Sequence, residues 1–580
     1  MQTFRHLALI LVLSGVTFFV NLGGPKLWDR DEPRNARCAV EMLERNDWTV
    51  PTFNAELRTH KPILLYWLMM TSYQAFGVSE FSARFWSAFL GVATAVVTYW
   101  IGRNVSDSRT ALMSSLILVT TLMFSVSSRA ATPDSTLIFF CTLAFAIFID
   151  GVNRSADSIP STLHWLGVYA AMAAAVLAKG PVGFVLPCTV IGSHLMFIAA
   201  KNATPNPEGN KWRHAIFGIA NWIAQFFPAL KRMRPLLALI TMAAIALPWY
   251  VIVGIQTNGE WLEGFLWKHN LERATSAMEG HNGSFLFYYP VAILIGFFPW
   301  SVFAVPAAMV TWRCIRNDNF NPNVVFLLCW IATFVGVFSI AQTKLPSYVT
   351  PTYPAIAILV ALLFGGEKAS SDRTIYAWMT IALTVLAIVG AGICIGGWIA
   401  FGRFLPNEKW ICLVGIFPLM AGSIGILTMR KFDGLTMQRV VQGFSFAFIL
   451  AIFGWCAGLV SQHQEFDQLF SKHPITPQTS RLASFASQEP SWVFYWGKPI
   501  THFRRMETAG VIDFLREDNE NYLLTTNNGL KMLEEQTAGQ LVVVSEADYF
   551  LKNSKILLVS CNPRIARRSR DFNSNGNATQ

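Results

Sequence analysis

The sequence predicts an α-helical integral membrane protein with about thirteen transmembrane helices and a small C-terminal α/β domain. Three observations support this prediction. Of the 580 residues, 53% are hydrophobic and only 14% are charged, whereas a soluble domain carries about 25% charged residues. Apolar runs of about 20 residues recur along most of the chain. The connections between these runs alternate between basic and mixed composition, as in polytopic membrane proteins.

The apolar runs are long enough to cross the hydrocarbon core of a bilayer as helices. The first run follows Arg5 and His6 and is either a signal peptide or an uncleaved span. We favour a span, because no small-x-small cleavage site is convincing. The predicted spans lie at approximately 7–20, 81–102, 109–128, 134–152, 163–178, 181–200, 235–255, 285–312, 323–341, 347–365, 374–400, 410–429 and 440–461.

The chain carries 45 Lys and Arg against 35 Asp and Glu, which gives a net charge of +10. In a soluble protein this balance suggests a nucleic-acid partner, but the sequence contains no nucleic-acid motif. The positive-inside rule explains the excess, because a cytoplasmic N-terminus places the basic connections in the cytoplasm. The 201–235 connection alone holds six Lys and Arg. An odd number of spans then places the C-terminal domain outside the cytoplasm.

Two domains are predicted. Residues 1–462 form the membrane domain, with extracytoplasmic loops at 25–80 and 256–284 that contain amphipathic helices. The composition changes at 463–580, which we interpret as a soluble extracytoplasmic α/β domain. Its β-like runs lie at 492–496, 522–526, 541–544 and 555–560, and its helix-like runs at 508–516 and 529–536. The nine cysteines show no metal-binding spacing and are interpreted as small apolar residues.

A dense group of charges opens the first extracytoplasmic loop. Residues 27–34 read LWDRDEPR, with three acids and two arginines directly after a span. The functional interpretation is a carboxylate cluster at the membrane surface, serving as a base or a metal ligand, with arginine binding an anionic group. The alternative is a solvated loop in which Trp28 lies at the lipid interface.

Three further charged positions lie on the same predicted face. Residues 59–62 read THKP and place Lys61 in the N-terminal cap region of a helix, where anions are favoured. Asp134 opens a span, where an acid is costly unless it faces water or a partner. Lys179 lies between two apolar runs. The alternatives are an ordinary N-cap for Asp134 and interface anchors for the two lysines.

The later outward connections add a second set of polar residues. His269 and Arg273 are four residues apart and therefore share a helical face. Residues 342–348 read QTKLPSY and place Lys344 and Tyr348 at the outer surface. A structural histidine and interfacial anchors are the alternatives. Each signal alone is weak, but one shared face suits a lipid-linked phosphate substrate: cations hold the phosphate, acids handle an acceptor, and spans hold the lipid.

The order of these motifs resembles that of the polyprenyl-phosphate-dependent membrane glycosyltransferases. This group includes the lipid A aminoarabinose transferases and, more distantly, the protein O-mannosyltransferases. The resemblance covers about residues 1–370, and its specificity comes from the ordered set, since no single motif is specific. The motifs are WxxDEPR at 28–34, EML at 41–43, DW at 47–48, KP at 61–62, YW at 66–67, PD at 133–134, KG at 179–180, HNLER at 269–273, GFFPW at 296–300 and KLPSY at 344–348.

The resemblance implies a GT-C fold in the bacterial inner membrane, with the site on the periplasmic side. It implies a sugar donor on undecaprenyl phosphate, with 4-amino-4-deoxy-L-arabinose as a candidate sugar and lipid A or another envelope component as acceptor. The implied roles are catalysis by Asp31 and Asp134; donor-phosphate binding by Arg34, Lys61, Lys179, Arg273, Lys344 and Tyr348; and a cavity or divalent-metal position at His60, His269 and Glu32.

One departure from the family pattern bears on the metal and the sugar. The aminoarabinose transferases have an acid directly before the Lys-Pro pair, whereas this chain has His60. A carboxylate-based metal site and the identity of the sugar therefore stay open. An acceptor that is a protein hydroxyl also stays open. A transporter or flippase, or a scaffold that uses the tail for binding, is the alternative outside the enzymes, although no paired broken helices deep in the membrane are evident.

Overall fold

The computed structural model divides the chain into two compact units. It describes residues 1–561 except 29, 156–158, 204–219, 272–286, 317–319, 366–371, 432–433, 472–474, 538–540, 551 and 553. The first unit, here called the membrane unit, comprises Met1–Leu22, Trp48–Val50 and Arg58–Cys456. The second, here called the α/β unit, comprises Gly23–Asp47, Pro51–Leu57 and Ala457–Gln580. The early segment 23–47 therefore groups with the C-terminal part of the chain.

Long apolar helices build the membrane unit, as predicted. Within the described residues, ten helices are long and apolar enough to cross a membrane, or up to thirteen spans if each of three bent pairs counts as one. The ten are Gln2–Phe19, Glu80–Val105, Asp134–Arg154, Thr162–Lys179, Val182–Asn202, Pro322–Ile340, Pro346–Gly365, Arg373–Phe404, Pro406–Arg430 and Leu435–Phe470. The shorter helical segments of this unit are Leu64–Phe76, Phe226–Arg232, Glu260–Glu263 and the π-helical turn Gly264–Leu271.

The three bent pairs break where the sequence interrupts helical hydrogen bonding. They are Ser108–Val119 with Leu122–Arg129, bent by 68°; Pro235–Ile245 with Leu247–Gln256, bent by 46°; and Tyr288–Gly296 with Trp300–Ile315, bent by 117°. Pro248 and Pro299 lie at the last two breaks, where each removes a backbone donor and clashes with the preceding turn. The predicted run over 285–312 falls on the last pair, where the sharp bend divides it into two helical segments.

A buried guanidinium ties the end of the first helix to its neighbours. Arg129 is 7% exposed and donates to the backbone oxygens of Thr17, Phe18 and Val20 at 2.8–2.9 Å. The last carbonyls of a helix have no partner within the helix, and a cation there also complements the helix dipole. Arg84 donates in the same way to Leu22 O at 3.0 Å. Both arginines therefore serve the packing of the first helix.

The α/β unit is built on a five-stranded sheet. A separate two-residue hairpin pairs β1 (Thr52–Phe53) with β2 (Glu56–Leu57). The sheet strands are β3 (Arg481–Phe485), β4 (Thr501–Phe503), β5 (Asn521–Thr526), β6 (Val542–Asp548) and β7 (Lys555–Ser560). Their order is β4-β3-β5-β7-β6, with β3 parallel to β4 and β5, and β7 antiparallel to β5 and β6. The helices are Asp31–Glu44, Ala457–Ser461, Glu465–Ser471, Pro490–Trp496, Thr508–Glu517 and Asn527–Thr537.

Alternating side chains give this sheet two buried faces. Leu482 and Leu524 belong to one apolar cluster, whereas Ala483 and Leu523 belong to another. This follows from the two-residue period of a strand, which sends neighbours to opposite faces. The first cluster also contains Trp492 of the Pro490–Trp496 helix. Both faces are thus covered, which explains why successive residues of β5 and β7 are buried.

Most of the predicted elements of the α/β unit are confirmed, and one is wrong. The structure has strands and helices at the predicted runs 522–526, 555–560, 508–516 and 529–536. The run 492–496, predicted as a strand, lies in the helix Pro490–Trp496. Pro490 suits the first turn of a helix, and Trp492, Val493 and Trp496 bury one helical face. A short aromatic run is compatible with the period of a strand and with that of a helix. The proline in front of it favours the helix.

We predict that Gly390 is required for close packing of the last membrane helices. A Cβ atom at Gly390 would lie 2.3 Å from the amide nitrogen of Leu419 on the facing helix. Gly390→Leu should therefore destabilise the fold by about 1–3 kcal/mol and lower the thermal unfolding midpoint in detergent. The matched control is Gly392→Leu, because nothing lies within 4 Å of a Cβ there. Equal midpoints for the two variants would contradict this packing.

Candidate functional site

The predicted site residues divide between the two units. Asp31, Glu32 and Arg34 belong to the α/β unit, and the membrane unit contains His60, Lys61, Asp134, Lys179, His269, Lys344 and Tyr348. Arg273 lies outside the described residues.

An ion pair between two helix ends is the centre of the membrane-unit group. Asp134 is the first residue of the helix Asp134–Arg154, and Lys179 is the last residue of Thr162–Lys179. The Lys179 ammonium donates a hydrogen bond to Asp134 Oδ1, and the two side chains are only 15% and 17% exposed. The ammonium also lies 5.4 Å from the centre of the Tyr348 ring. We call Asp134, Lys179 and Tyr348 the lysine site.

The positions of the two charges in their helices are electrostatically favourable. A helix N-terminus carries partial positive charge and favours Asp134, whereas a C-terminus carries partial negative charge and favours Lys179. Each charge is thus stabilised by its own helix as well as by its partner. Because burial weakens solvent screening, the ion pair holds the ammonium in a defined position.

Two histidine rings contact each other, and two glycines allow the segments that carry them to approach their neighbours closely. The rings of His60 and His269 lie 3.9 Å apart between centres, with 32° between their planes. A Cβ atom at Gly264 would lie 2.8 Å from Thr59 Oγ1, so the segment holding His60 rests on the π-helical turn Gly264–Leu271. Similarly, a Cβ at Gly180 would lie 2.5 Å from Phe265 Cζ. The histidine-bearing turn therefore reaches the residue that follows Lys179.

The structure gives Lys344 a different surrounding from the one predicted. Its side chain is 5% exposed, and Nζ donates to the backbone oxygens of Ser339 and Ala341 at 2.9 and 2.6 Å. These carbonyls belong to the end of the helix Pro322–Ile340 and the residue after it. Lys344 thus closes a helix C-terminus, a position that suits a cation. Tyr348 remains close to the same turn, because its ring lies 4.9 Å from that of Phe338.

In the α/β unit, the acidic motif begins a helix. Asp31 and Glu32 form the first turn of Asp31–Glu44. Glu32 is 4% exposed, and its Oε2 accepts a hydrogen bond from the amide of Trp28 at 2.6 Å. This carboxylate therefore connects the amide of Trp28 to the first turn of the helix. Asp31 and Arg34 are half-buried on the same helix.

Sequence reasoning missed a buried arginine next to the Lys-Pro motif. Arg58 is 4% exposed, its Nε donates to the Tyr66 hydroxyl at 2.9 Å, and its carbonyl accepts from Trp261 Nε1 at 2.9 Å. It joins the segment that carries His60 to the helices on either side. A signal was available, because Arg58 is a cation in a connection predicted to face outward, where the positive-inside rule does not require one.

The described residues do not fit a divalent-metal site. Across the part of the chain that the structure describes, no three His, Cys, Asp or Glu side chains converge as a ligand set. His60 and His269 bring two imidazoles together, but transition-metal sites in proteins normally use three or four protein ligands.

Comparison with known proteins finds similarity to membrane glycosyltransferases. The family model described as "Dolichyl-phosphate-mannose-protein mannosyltransferase" matches residues 9–262. An uncharacterised protein of Aquifex aeolicus is 29% identical over 66% of this chain and 69% of its own length. The undecaprenyl phosphate-alpha-4-amino-4-deoxy-L-arabinose arabinosyl transferase of Pectobacterium carotovorum is 26% identical over 75% of this chain and 78% of its own length.

Solved structures show the same fold over almost the whole chain. The crystal structure of ArnT from Cupriavidus metallidurans in the apo state has a TM-score of 0.73, is 21% identical, and covers 97% of this chain and 99% of its own. The form bound to undecaprenyl phosphate has a TM-score of 0.72 at 20% identity, with coverages of 95% and 97%. The chain thus has the GT-C fold of these proteins, and the predicted resemblance to the polyprenyl-phosphate-dependent membrane glycosyltransferases is confirmed.

Proposed function

We propose that the chain is a membrane glycosyltransferase that moves a sugar from undecaprenyl phosphate to an acceptor outside the cytoplasm. The first candidate sugar is 4-amino-4-deoxy-L-arabinose, and the first candidate acceptor is lipid A. The proposal includes a location in the bacterial inner membrane, with the N-terminus in the cytoplasm and the C-terminal domain in the periplasm. The named Pectobacterium relative and the ArnT structure with undecaprenyl phosphate support this choice of donor and sugar.

The lysine site is suited to stabilise the departing phosphate. Transfer breaks the bond between the sugar carbon and the phosphate oxygen, and the departing undecaprenyl phosphate keeps the electron pair of that bond. The leaving group therefore gains negative charge as the bond breaks. A fixed cation in a poorly solvated place stabilises such charge most effectively, because it does not have to reorganise. Lys179, held by Asp134 at 15% exposure, has these properties.

Tyr348 and the remaining cations complete the proposed donor site. Arg34, Lys61 and Arg273 are assigned to the donor phosphate because they match the family motifs. The Tyr348 ring lies close to the Lys179 ammonium, which keeps that ammonium on one side of the ring. Lys344 receives a structural role instead, because its ammonium is bound to helix carbonyls.

We assign Asp31 as the principal carboxylate, on the strength of its motif. With a hydroxyl acceptor, Asp31 takes the acceptor proton as a general base while the acceptor oxygen bonds to the sugar carbon. With a phosphate acceptor such as that of lipid A, the nucleophile is already anionic, and Asp31 positions and polarises it. In both cases the sugar carbon is attacked from the side opposite the departing phosphate, so its configuration is inverted.

A second candidate acceptor has its own support. The mannosyltransferase family model matches residues 9–262, a region that includes Asp31, Asp134 and Lys179. Transfer of a sugar to protein hydroxyls is therefore the alternative. The two candidates share the donor chemistry and differ in whether the sugar ends in the lipid or the protein fraction.

Replacement of Lys179 should slow transfer. Because it leaves the Asp134 carboxylate unpaired, the thermal unfolding midpoint of each variant is measured beside its activity. Lys179→Met removes the cation, and we expect kcat to fall about 10²–10³-fold, the range for loss of one preorganised group that stabilises developing charge. Lys179→Arg keeps the charge and should retain more activity. The measurement is transfer of labelled sugar from undecaprenyl phosphate by purified protein.

The control for this experiment is Lys201→Met. Lys179 ends the helix Thr162–Lys179, and Lys201 lies near the end of the next helix, Val182–Ala203. The length of this second helix therefore separates the two lysines. A Lys179→Met variant with wild-type kcat would contradict the assignment. A loss in Lys201→Met as large as in Lys179→Met would show that the effect is not specific to the site.

Asp31→Asn should abolish most of the sugar transfer. The substitution keeps the size of the side chain and removes its charge and basicity, so we expect a loss of about 10²–10⁴-fold in kcat for a hydroxyl acceptor. The matched control is Asp513→Asn, on the exposed side of the helix Thr508–Glu517. An active, correctly inserted Asp31→Asn protein would refute the assignment of this carboxylate.

A further inference from the structure

The helix that begins at Asp31 belongs to the same compact unit as the C-terminal domain. Segment Gly23–Asp47 follows the first membrane helix in sequence, yet it groups with Ala457–Gln580 and with the hairpin segment Pro51–Leu57. Hydrogen bonds connect this segment to the rest of the unit. They fall at two places, one directly before the helix and one directly after it.

Before the helix, side chains of the segment Ala457–Gln580 hold two consecutive backbone amides. The amide of Lys26 donates to Ser461 Oγ at 2.7 Å, and the amide of Leu27 donates to the Tyr495 hydroxyl at 2.7 Å. The Lys26 ammonium donates to Asp467 Oδ1 at 2.6 Å and lies 4.2 Å from the centre of the Tyr495 ring. The main chain is therefore fixed four residues before Asp31.

The short link between these amides and Asp31 is also held. Trp28 packs edge-to-face on Phe550, with ring centres 5.2 Å apart. The Trp28 amide donates to Glu32 Oε2 at 2.6 Å, which closes a loop around the residues preceding the helix. A displacement at Leu27 is thus transmitted to the first helical turn, because Glu32 is adjacent to Asp31.

After the helix, the hairpin forms the second attachment. Asn54 has φ of 58°, which asparagine tolerates better than most residues. Its side chain makes two hydrogen bonds to the main chain of Ile500, accepting from N at 2.7 Å and donating to O at 2.9 Å. Glu41 of the helix accepts from the Asn54 amide at 2.8 Å and from the Thr52 hydroxyl at 2.7 Å. The helix is therefore anchored at both ends.

We propose that the C-terminal domain positions the Asp31 helix, and that Tyr495 and Ser461 are positioning residues for sugar transfer. This inference rests on the proposed function, because it assumes that Asp31 acts on the acceptor. A reacting group displaced by about 1 Å can lose about 100-fold in rate, whereas binding of a distant part of the substrate need not change. The domain thereby belongs to the catalytic machinery and is not a separate binding module.

The test uses the full-length protein with Tyr495→Phe, Ser461→Ala and the double variant. Tyr495→Phe keeps the ring beside Lys26 and removes only the hydroxyl acceptor. We expect the double variant to lower kcat about tenfold, with the donor KM within about twofold of wild type. Hydrogen–deuterium exchange of peptides covering 24–30 should accelerate by up to about tenfold, while peptides of β3 and β5 keep their protection.

The control is Tyr522→Phe, which removes a tyrosine hydroxyl from strand β5 of the same unit. Wild-type kcat together with unchanged exchange at 24–30 in the double variant would overturn the inference. If the double variant does not fold, the single variants decide it by the same two readouts. An inactive Asp31→Asn protein beside a fully active double variant refutes only this inference, whereas an active Asp31→Asn protein refutes the proposed role of Asp31.

Discussion

A charge withdrawn from water at the end of a membrane helix must be neutralised, and the Lys179–Asp134 ion pair meets this requirement at the candidate site. Both side chains are more than four-fifths buried, so removing either one would leave an uncompensated charge. The pair also joins the start of one helix to the end of another. Phe265, packed on Gly180, and Tyr348, beside the ammonium, depend on that junction.

Some charged residues in the family-like motifs bind the main chain. Glu32 binds the Trp28 amide, and Lys344 binds two carbonyls at a helix end. Such residues keep the main chain in place close to the residues assigned to chemistry. The same principle extends to the C-terminal domain, whose side chains hold the amides before Asp31. Residues inside the motifs and residues outside them therefore both hold the main chain in place.

The spans could be predicted because the length of an apolar run and the charge of the loops beside it are visible in the sequence itself. Asp134 and Lys179 could be placed on one face but not paired, since the pairing depends on how two helices pack. Arg129 and Arg58 were overlooked as structural cations, because their partners are backbone or hydroxyl groups that the folded chain brings together. The helix Pro490–Trp496 shows the remaining difficulty, because a short apolar run is compatible with the period of a helix and with that of a strand.

Reconstitution of the purified protein with its proposed substrates tests the central claim most directly. Vesicles would contain undecaprenyl phosphate carrying a labelled sugar, with lipid A as one acceptor and a serine- and threonine-rich peptide as the other. The account predicts consumption of the donor, release of undecaprenyl phosphate and recovery of the label on lipid A, with inverted configuration at the sugar carbon. Label on the peptide would identify the second candidate acceptor. Folded wild-type protein that leaves the donor intact with both acceptors would contradict the account.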